Sequence, residues 1–186
     1  MKQMKNQVCT IPNLLSLIRI LMIPLIVLLY WNGCYGWTAA MILLSGLTDV
    51  VDGWIARRFG QISDLGKVLD PIADKLTQAV TLFCLASEFK GLVVPLILLM
   101  LKELFAGISG LLVIKHAGYV PGAQGHGKLT TLLLYGMMFL HLIWQEIPGW
   151  TSNLLSAVCA AMMLVSFVLY AKRNIQAIRA ASEKTV

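Results

Sequence analysis

The sequence predicts an all-α integral membrane protein with six transmembrane helices. Three observations predict it. The chain of 186 residues is 58% hydrophobic and 13% charged, with a mean hydropathy of +0.78, whereas a soluble domain is typically about 45–50% apolar and about 25% charged. Six apolar segments, each close to the roughly 20 residues that cross a bilayer, use nearly the whole length. Lysine and arginine collect at alternate ends of those segments, as they do in a multi-pass protein of fixed orientation.

The first segment, Leu14–Tyr30, follows Lys2 and Lys5 in the manner of a signal peptide, but Pro24 interrupts it and no small-x-small cleavage site follows. It reads as a retained first helix, with the residues before Leu14 available for a short interfacial helix. The others are Trp37–Ala56, Gly66–Ser87, Leu92–Ile114, Lys128–Ile147 and Thr151–Tyr170. They are punctuated by Asn32-Gly33, Phe59-Gly60, Lys90-Gly91, Pro121-Gly122 and Pro148-Gly149. No composition shift divides the chain, so residues 1–186 are expected to form one membrane domain.

Six spans put both termini on one side. That side gathers Lys2, Lys5, Arg57, Arg58, Lys67, Lys115, Lys128, Lys172, Arg173, Arg179 and Lys184, while the other has Lys90 with Glu88 and Glu146. The positive-inside rule places the termini at the cytoplasmic face of the cell membrane. The formal net charge of +6 suits anionic lipid headgroups, and no basic cluster is dense enough for nucleic acid. Cys9, Cys34, Cys84 and Cys159 lack paired spacing and read as packing residues.

All five aspartates fall between Leu47 and Leu76. Asp49 and Asp52 are three apart at the end of the second helix, and Asp70 and Asp74 four apart at the start of the third. Each spacing puts two carboxylates on one helix face. The joining loop is short and basic, so the helices are antiparallel neighbours and the four carboxylates converge near one membrane surface, beside the cytoplasm. Like charges there cost several kcal/mol to desolvate, which calls for cations. Oxygen ligands without histidine or thiolate select Mg2+, Mn2+ or Ca2+ over zinc, and shared carboxylates make a site for two ions. Gly53, Ala56 and Gly66 are small, which for the glycines suits either close approach of a ligand or tight helix packing; with Arg57 able to hold a phosphate, the set together indicates a phosphate or diphosphate substrate. Asp64 lies in the loop, outside the helical register, as a solvated residue or a cap.

The order Asp49-x-x-Asp52-Gly53-x-x-Ala56-Arg57, eight residues, Gly66-x-x-x-Asp70-x-x-x-Asp74 resembles the signature of the CDP-alcohol phosphotransferases at every position. The resemblance implies transfer of a phosphatidyl group from a CDP-linked lipid, commonly CDP-diacylglycerol, to an alcohol, with release of CMP. It further implies two Mg2+ or Mn2+ ions held by Asp49, Asp52, Asp70 and Asp74, with Asp74 also the general base. Gly53, Ala56, Arg57 and Gly66 would form the nucleotide and diphosphate pocket, joined by Asn13, whose simpler role is a helix cap. The family is commonly homodimeric.

Ile11–Val27, Lys102-Glu103 and Gly127–Thr131 resemble the phosphatidylglycerophosphate synthase branch, so glycerol 3-phosphate is the expected acceptor. Lysine instead of arginine at Lys102, and Gly110 and Thr130 at two further basic positions of that branch, raise phosphatidylglycerol, the acceptor in cardiolipin synthesis, as the alternative. Inositol phosphate is a weaker third, and a divalent-ion transporter the reading from another class. Lys128, Arg19 and Arg173 are the acceptor-binding candidates. Lys102 and Glu103, being adjacent, are expected to point apart and not to pair well. The histidines lack ligand spacing and read as structural or interfacial.

Overall fold

In a computed structural model, residues 11–59, 64–117 and 125–183 are described. Side chains are described there except at 11–12, 49–50, 52–57, 59, 64–68, 115–117, 125–126 and 178–183. The described residues form six helices and no strand: α1 Ile11–Trp31, α2 Tyr35–Phe59, α3 Asp64–Glu88, α4 Val93–Ala117, α5 Gly125–Ile143 and α6 Gly149–Glu183, with a 3₁₀ turn at Lys90–Leu92 before α4. The all-α expectation holds. Asp64 opens α3 and does not lie in the loop before it.

Three stretches of the described residues are long and apolar enough to cross a membrane: Asn13–Trp31, Lys90–Ile114 and Gly149–Ala177. Gly127–Ile143 in α5 is apolar but shorter. Helices α2 and α3 each have 25 residues, about 37 Å at 1.5 Å per residue, and their charged ends set them apart in composition. Leucine, isoleucine and tryptophan side chains lie exposed along the helices, among them Leu21, Leu28, Leu104, Leu111, Leu132, Ile143 and Trp150. Such exposure suits lipid contact and would be a liability in water. The protein is a multi-pass membrane protein.

The chain divides into two compact units, residues 1–84 and 85–186. In the first, α1 packs on α2. Their connection is a tight reversal with Gly33 at φ +72°, a left-handed conformation that glycine adopts without a Cβ penalty. The Cys34 N–H donates to the Leu29 carbonyl at 2.9 Å, closing the helix end, and the Tyr30 and Tyr35 rings meet edge to face at 5.3 Å.

In the second unit, α6 packs on both α4 and α5. Polar contacts tie these helices where apolar burial gives no net drive in lipid. Ser156 Oγ donates to the Gly91 carbonyl at 2.6 Å, and Asn174 Nδ2 donates to Ser109 Oγ at 2.7 Å. His141 is fully buried. Its Nδ1–H donates to the Met137 carbonyl at 2.8 Å, leaving Nε2 to accept from the Ser152 hydroxyl at 2.9 Å, while Phe89 packs edge-on at 4.8 Å. The structural reading of this histidine fits that environment.

Two element ends differ from expectation for local reasons. Helix α5 stops at Ile143, not Ile147, because Gln145 Nε2 donates to the carbonyls of His141 and Leu142, both at 2.9 Å, and closes the helix there. Helix α6 continues 13 residues past Tyr170, since the alanine-rich, basic stretch beyond it is polar yet strongly helix-forming.

Candidate active site

Helix propensity places the carboxylates before any tertiary contact does. Asp49 and Asp52 lie near the end of α2, and Asp70 and Asp74 one turn apart in α3. The side chains of Asp49, Asp52, Gly53, Ala56, Arg57 and Gly66 lie outside the described residues, so the geometry rests on Asp70, Asp74 and what reaches them within the first unit.

Asp70 is gripped from α1. Arg19 Nη2 donates to Asp70 Oδ1 at 2.9 Å, and the Ser16 hydroxyl donates to the same oxygen. Ser16 and Arg19 are three apart, hence on one face of α1. Both are buried, Arg19 to 1% exposure, whereas the Asp70 side chain keeps 33%. A guanidinium inside a membrane helix costs several kcal/mol unless paired, and Asp70 supplies the countercharge. All contacts of Asp70 fall on Oδ1; Oδ2 has no partner among the described residues.

Asp74 is supported from its own helix. Gln78, 1% exposed, donates Nε2–H to Asp74 Oδ2 at 2.9 Å, and Lys75 Nζ lies 3.7 Å from the same oxygen. Gln78 was not legible as a functional residue; the signal that could have found it is its place one turn beyond Asp74 on the carboxylate face.

Asn13 is buried near the start of α1. Arg19, expected beside the acceptor, is engaged with Asp70. Lys128 and Arg173 belong to the second unit: Lys128 is exposed in the first turns of α5, and the Arg173 guanidinium lies 5.1 Å from the centre of the Tyr170 ring. Lys102 Nζ is 2.7 Å from Glu103 Oε1, an ion pair without hydrogen-bond geometry, in keeping with the expectation that adjacent residues do not pair well. Their Cα–Cβ bonds diverge, and only the length of the two side chains brings the charges together.

The donor set fits Mg2+ or Mn2+ where it is described. It consists of carboxylate oxygens, and Asp70 has one oxygen without a partner among the described residues beside one that is firmly held. No group of three or more potential ligand side chains is gathered among the described residues.

The described residues thus give a helical membrane protein with two carboxylates one turn apart in α3, one of them paired with a buried arginine. The sequence matches the CDP-alcohol phosphatidyltransferase family over residues 9–169, and the chain belongs to that family. It is a transferase. Among its relatives, the CDP-diacylglycerol--glycerol-3-phosphate 3-phosphatidyltransferase of Aquifex aeolicus is 30% identical over 182 residues, covering 90% of this chain and 97% of that protein. The cardiolipin synthase (CMP-forming) of Streptomyces coelicolor is 35% identical over 158 residues, 80% of this chain and 72% of that protein. A Pseudomonas fluorescens protein with the same name as the Aquifex relative is 40% identical over 85 residues, 44% of each chain.

Proposed function

We propose that the protein transfers a phosphatidyl group from CDP-diacylglycerol to glycerol 3-phosphate, making phosphatidylglycerophosphate and CMP. The observation that carries the reading is the braced Asp70 carboxylate, one turn from Asp74, in a chain that aligns with nearly the full length of the Aquifex enzyme. Phosphatidylglycerol as acceptor, giving cardiolipin, is the second reading. It is favoured by Lys102, Gly110 and Thr130, where basic residues of the glycerol phosphate branch are replaced, and by the likeness to the Streptomyces enzyme.

In this reading Asp49, Asp52, Asp70 and Asp74 would hold two Mg2+ or Mn2+ ions, which when bound offset the charge of the diphosphate and of departing CMP. Asn13, Gly53, Ala56, Arg57 and Gly66 receive the nucleotide and diphosphate. Asp74 accepts the proton of the acceptor hydroxyl. The acceptor oxygen then bonds to the phosphorus that carries diacylglycerol, the bond from that phosphorus to the CMP oxygen breaks, and CMP leaves with the electron pair. Lys128 and Arg173 receive an anionic acceptor. The family match runs through residues of both units. The active site and termini face the cytoplasm at the cell membrane, as the lysine and arginine distribution favours, and the protein works as a homodimer.

The test is to incubate purified protein with labelled CDP-diacylglycerol and Mg2+, separately with glycerol 3-phosphate, phosphatidylglycerol and inositol phosphate, and to identify the lipid formed. Phosphatidylglycerophosphate is expected, with no turnover by Asp70→Asn. A different lipid replaces the acceptor, and unchanged turnover by Asp70→Asn overturns the site.

A further inference from the structure

The contacts of Asp70 are one-sided in a way that a plain helix-to-helix tie does not require. Two donors from α1, Ser16 and Arg19, meet on a single oxygen, Oδ1. Both donors are buried, Arg19 to 1%, while the acceptor side chain stays one-third exposed. A carboxylate with two donors on one oxygen cannot rotate freely about its Cβ–Cγ bond, so its second oxygen is held in place as well. The second oxygen has no protein partner among the described residues. An arrangement that served only to join α1 to α3 would gain by engaging both oxygens in the fork that arginine offers to carboxylates.

We infer that Ser16 and Arg19 are positioning residues, which fix the Asp70 carboxylate through Oδ1 so that Oδ2 is presented to a divalent cation. The inference rests on the reading of Asp70 as a cation ligand and gives Arg19 a role other than acceptor binding. The Arg19 charge also satisfies Asp70 without the cation, so the carboxylate keeps one orientation before and after binding. Groups that orient a metal ligand typically contribute about 10–100-fold in metal affinity or activity.

The experiment titrates Mn2+ into the purified full chain in detergent, with free Mn2+ followed by electron paramagnetic resonance, for the wild type, Arg19→Gln, Arg19→Lys, Ser16→Ala and Asp70→Asn. Helicity and melting are recorded alongside. Arg19→Gln is expected to weaken Mn2+ binding about 10–100-fold. Arg19→Lys, which keeps the charge, should recover part of it, and Ser16→Ala should weaken binding by a smaller factor. In turnover assays kcat should fall in Arg19→Gln with little change in the KM for acceptor. Mn2+ affinity unchanged in Arg19→Gln while Asp70→Asn loses it overturns the positioning role and leaves the site standing. A rise in acceptor KM alone overturns it in favour of acceptor binding. Full Mn2+ affinity in Asp70→Asn overturns the site itself. If Arg19→Gln does not fold, Ser16→Ala decides, and wild-type affinity there overturns the inference.

Discussion

Gly127 lies in the first turn of α5 beside Lys128, and its lack of a side chain has a definite neighbour. A Cβ built there would stand 2.8 Å from Tyr170 Oη on α6, with the ring carbons Cε2 and Cζ at 3.4 and 3.5 Å. The hydroxyl is about 0.6 Å inside ordinary contact and the ring is not. Gly127→Ala must therefore push the tyrosine aside, and overpacking of that size costs about 1–3 kcal/mol. The displaced ring is the one beneath the Arg173 guanidinium, so the strain passes to a residue proposed to bind the acceptor. Tyr170→Phe deletes the atom in conflict and leaves the two ordinary contacts. Gly127→Ala is thus expected to lower unfolding free energy in detergent by about 1–3 kcal/mol and to raise the acceptor KM. In the Tyr170→Phe background most of that penalty should vanish, giving a coupling energy of at least about 0.5 kcal/mol. The assay is a double-mutant cycle on reversible unfolding, with acceptor KM measured for all four proteins. An equal penalty in both backgrounds would refute the reasoning, because the clash would then not lie with the hydroxyl.

Gln78→Leu removes the donor to Asp74 Oδ2 at similar volume. Hydrogen bonds to charged groups contribute about 1.5–3 kcal/mol, and water replaces part of this at a carboxylate one-third exposed, so kcat should fall roughly 3–10-fold with the donor-lipid KM little changed; wild-type kcat would show that Gln78 does not position Asp74. His141→Leu loses the bonds to Met137 and Ser152 and strands a buried hydroxyl, which should lower stability by about 2–3 kcal/mol while kcat per folded molecule stays constant. Ser152→Ala added to it should restore part of the melting temperature, and a second loss of similar size would argue that the pair is not coupled.

The six helices could be read from the sequence because apolar runs of membrane length leave few other structures available. Their ends were less legible. Hydropathy falls after Tyr170 but helix propensity does not, so α6 runs on to Glu183, and a glutamine side chain that stops α5 leaves no trace in an apolar profile. Likewise, the spacing of Asp70 and Asp74 is a property of one helix and could be read directly. That Arg19 finds Asp70, 51 residues away, is a property of how α1 and α3 meet, and a basic residue inside an apolar span is equally compatible with a substrate phosphate.

Polar contacts hold helices together within each unit. In the second they include a serine bound to a carbonyl, an asparagine to a serine and a histidine to a serine. In the first, the contacts from α1 to α3 end on the carboxylate proposed to bind a cation. Because lipid gives helices little reason to associate through apolar surface alone, Asp70 bears part of the stability of its unit as well as its chemistry. Replacing it breaks the ion pair with the buried Arg19, a loss of about 3–5 kcal/mol where such pairs lose one partner, so lost turnover in Asp70→Asn does not by itself separate chemistry from folding. Cation binding does separate them. An ion on Oδ2 stabilises only the folded state and raises stability by mass action, so Mg2+ should raise the melting temperature of the wild type and leave that of Asp70→Asn where it stands.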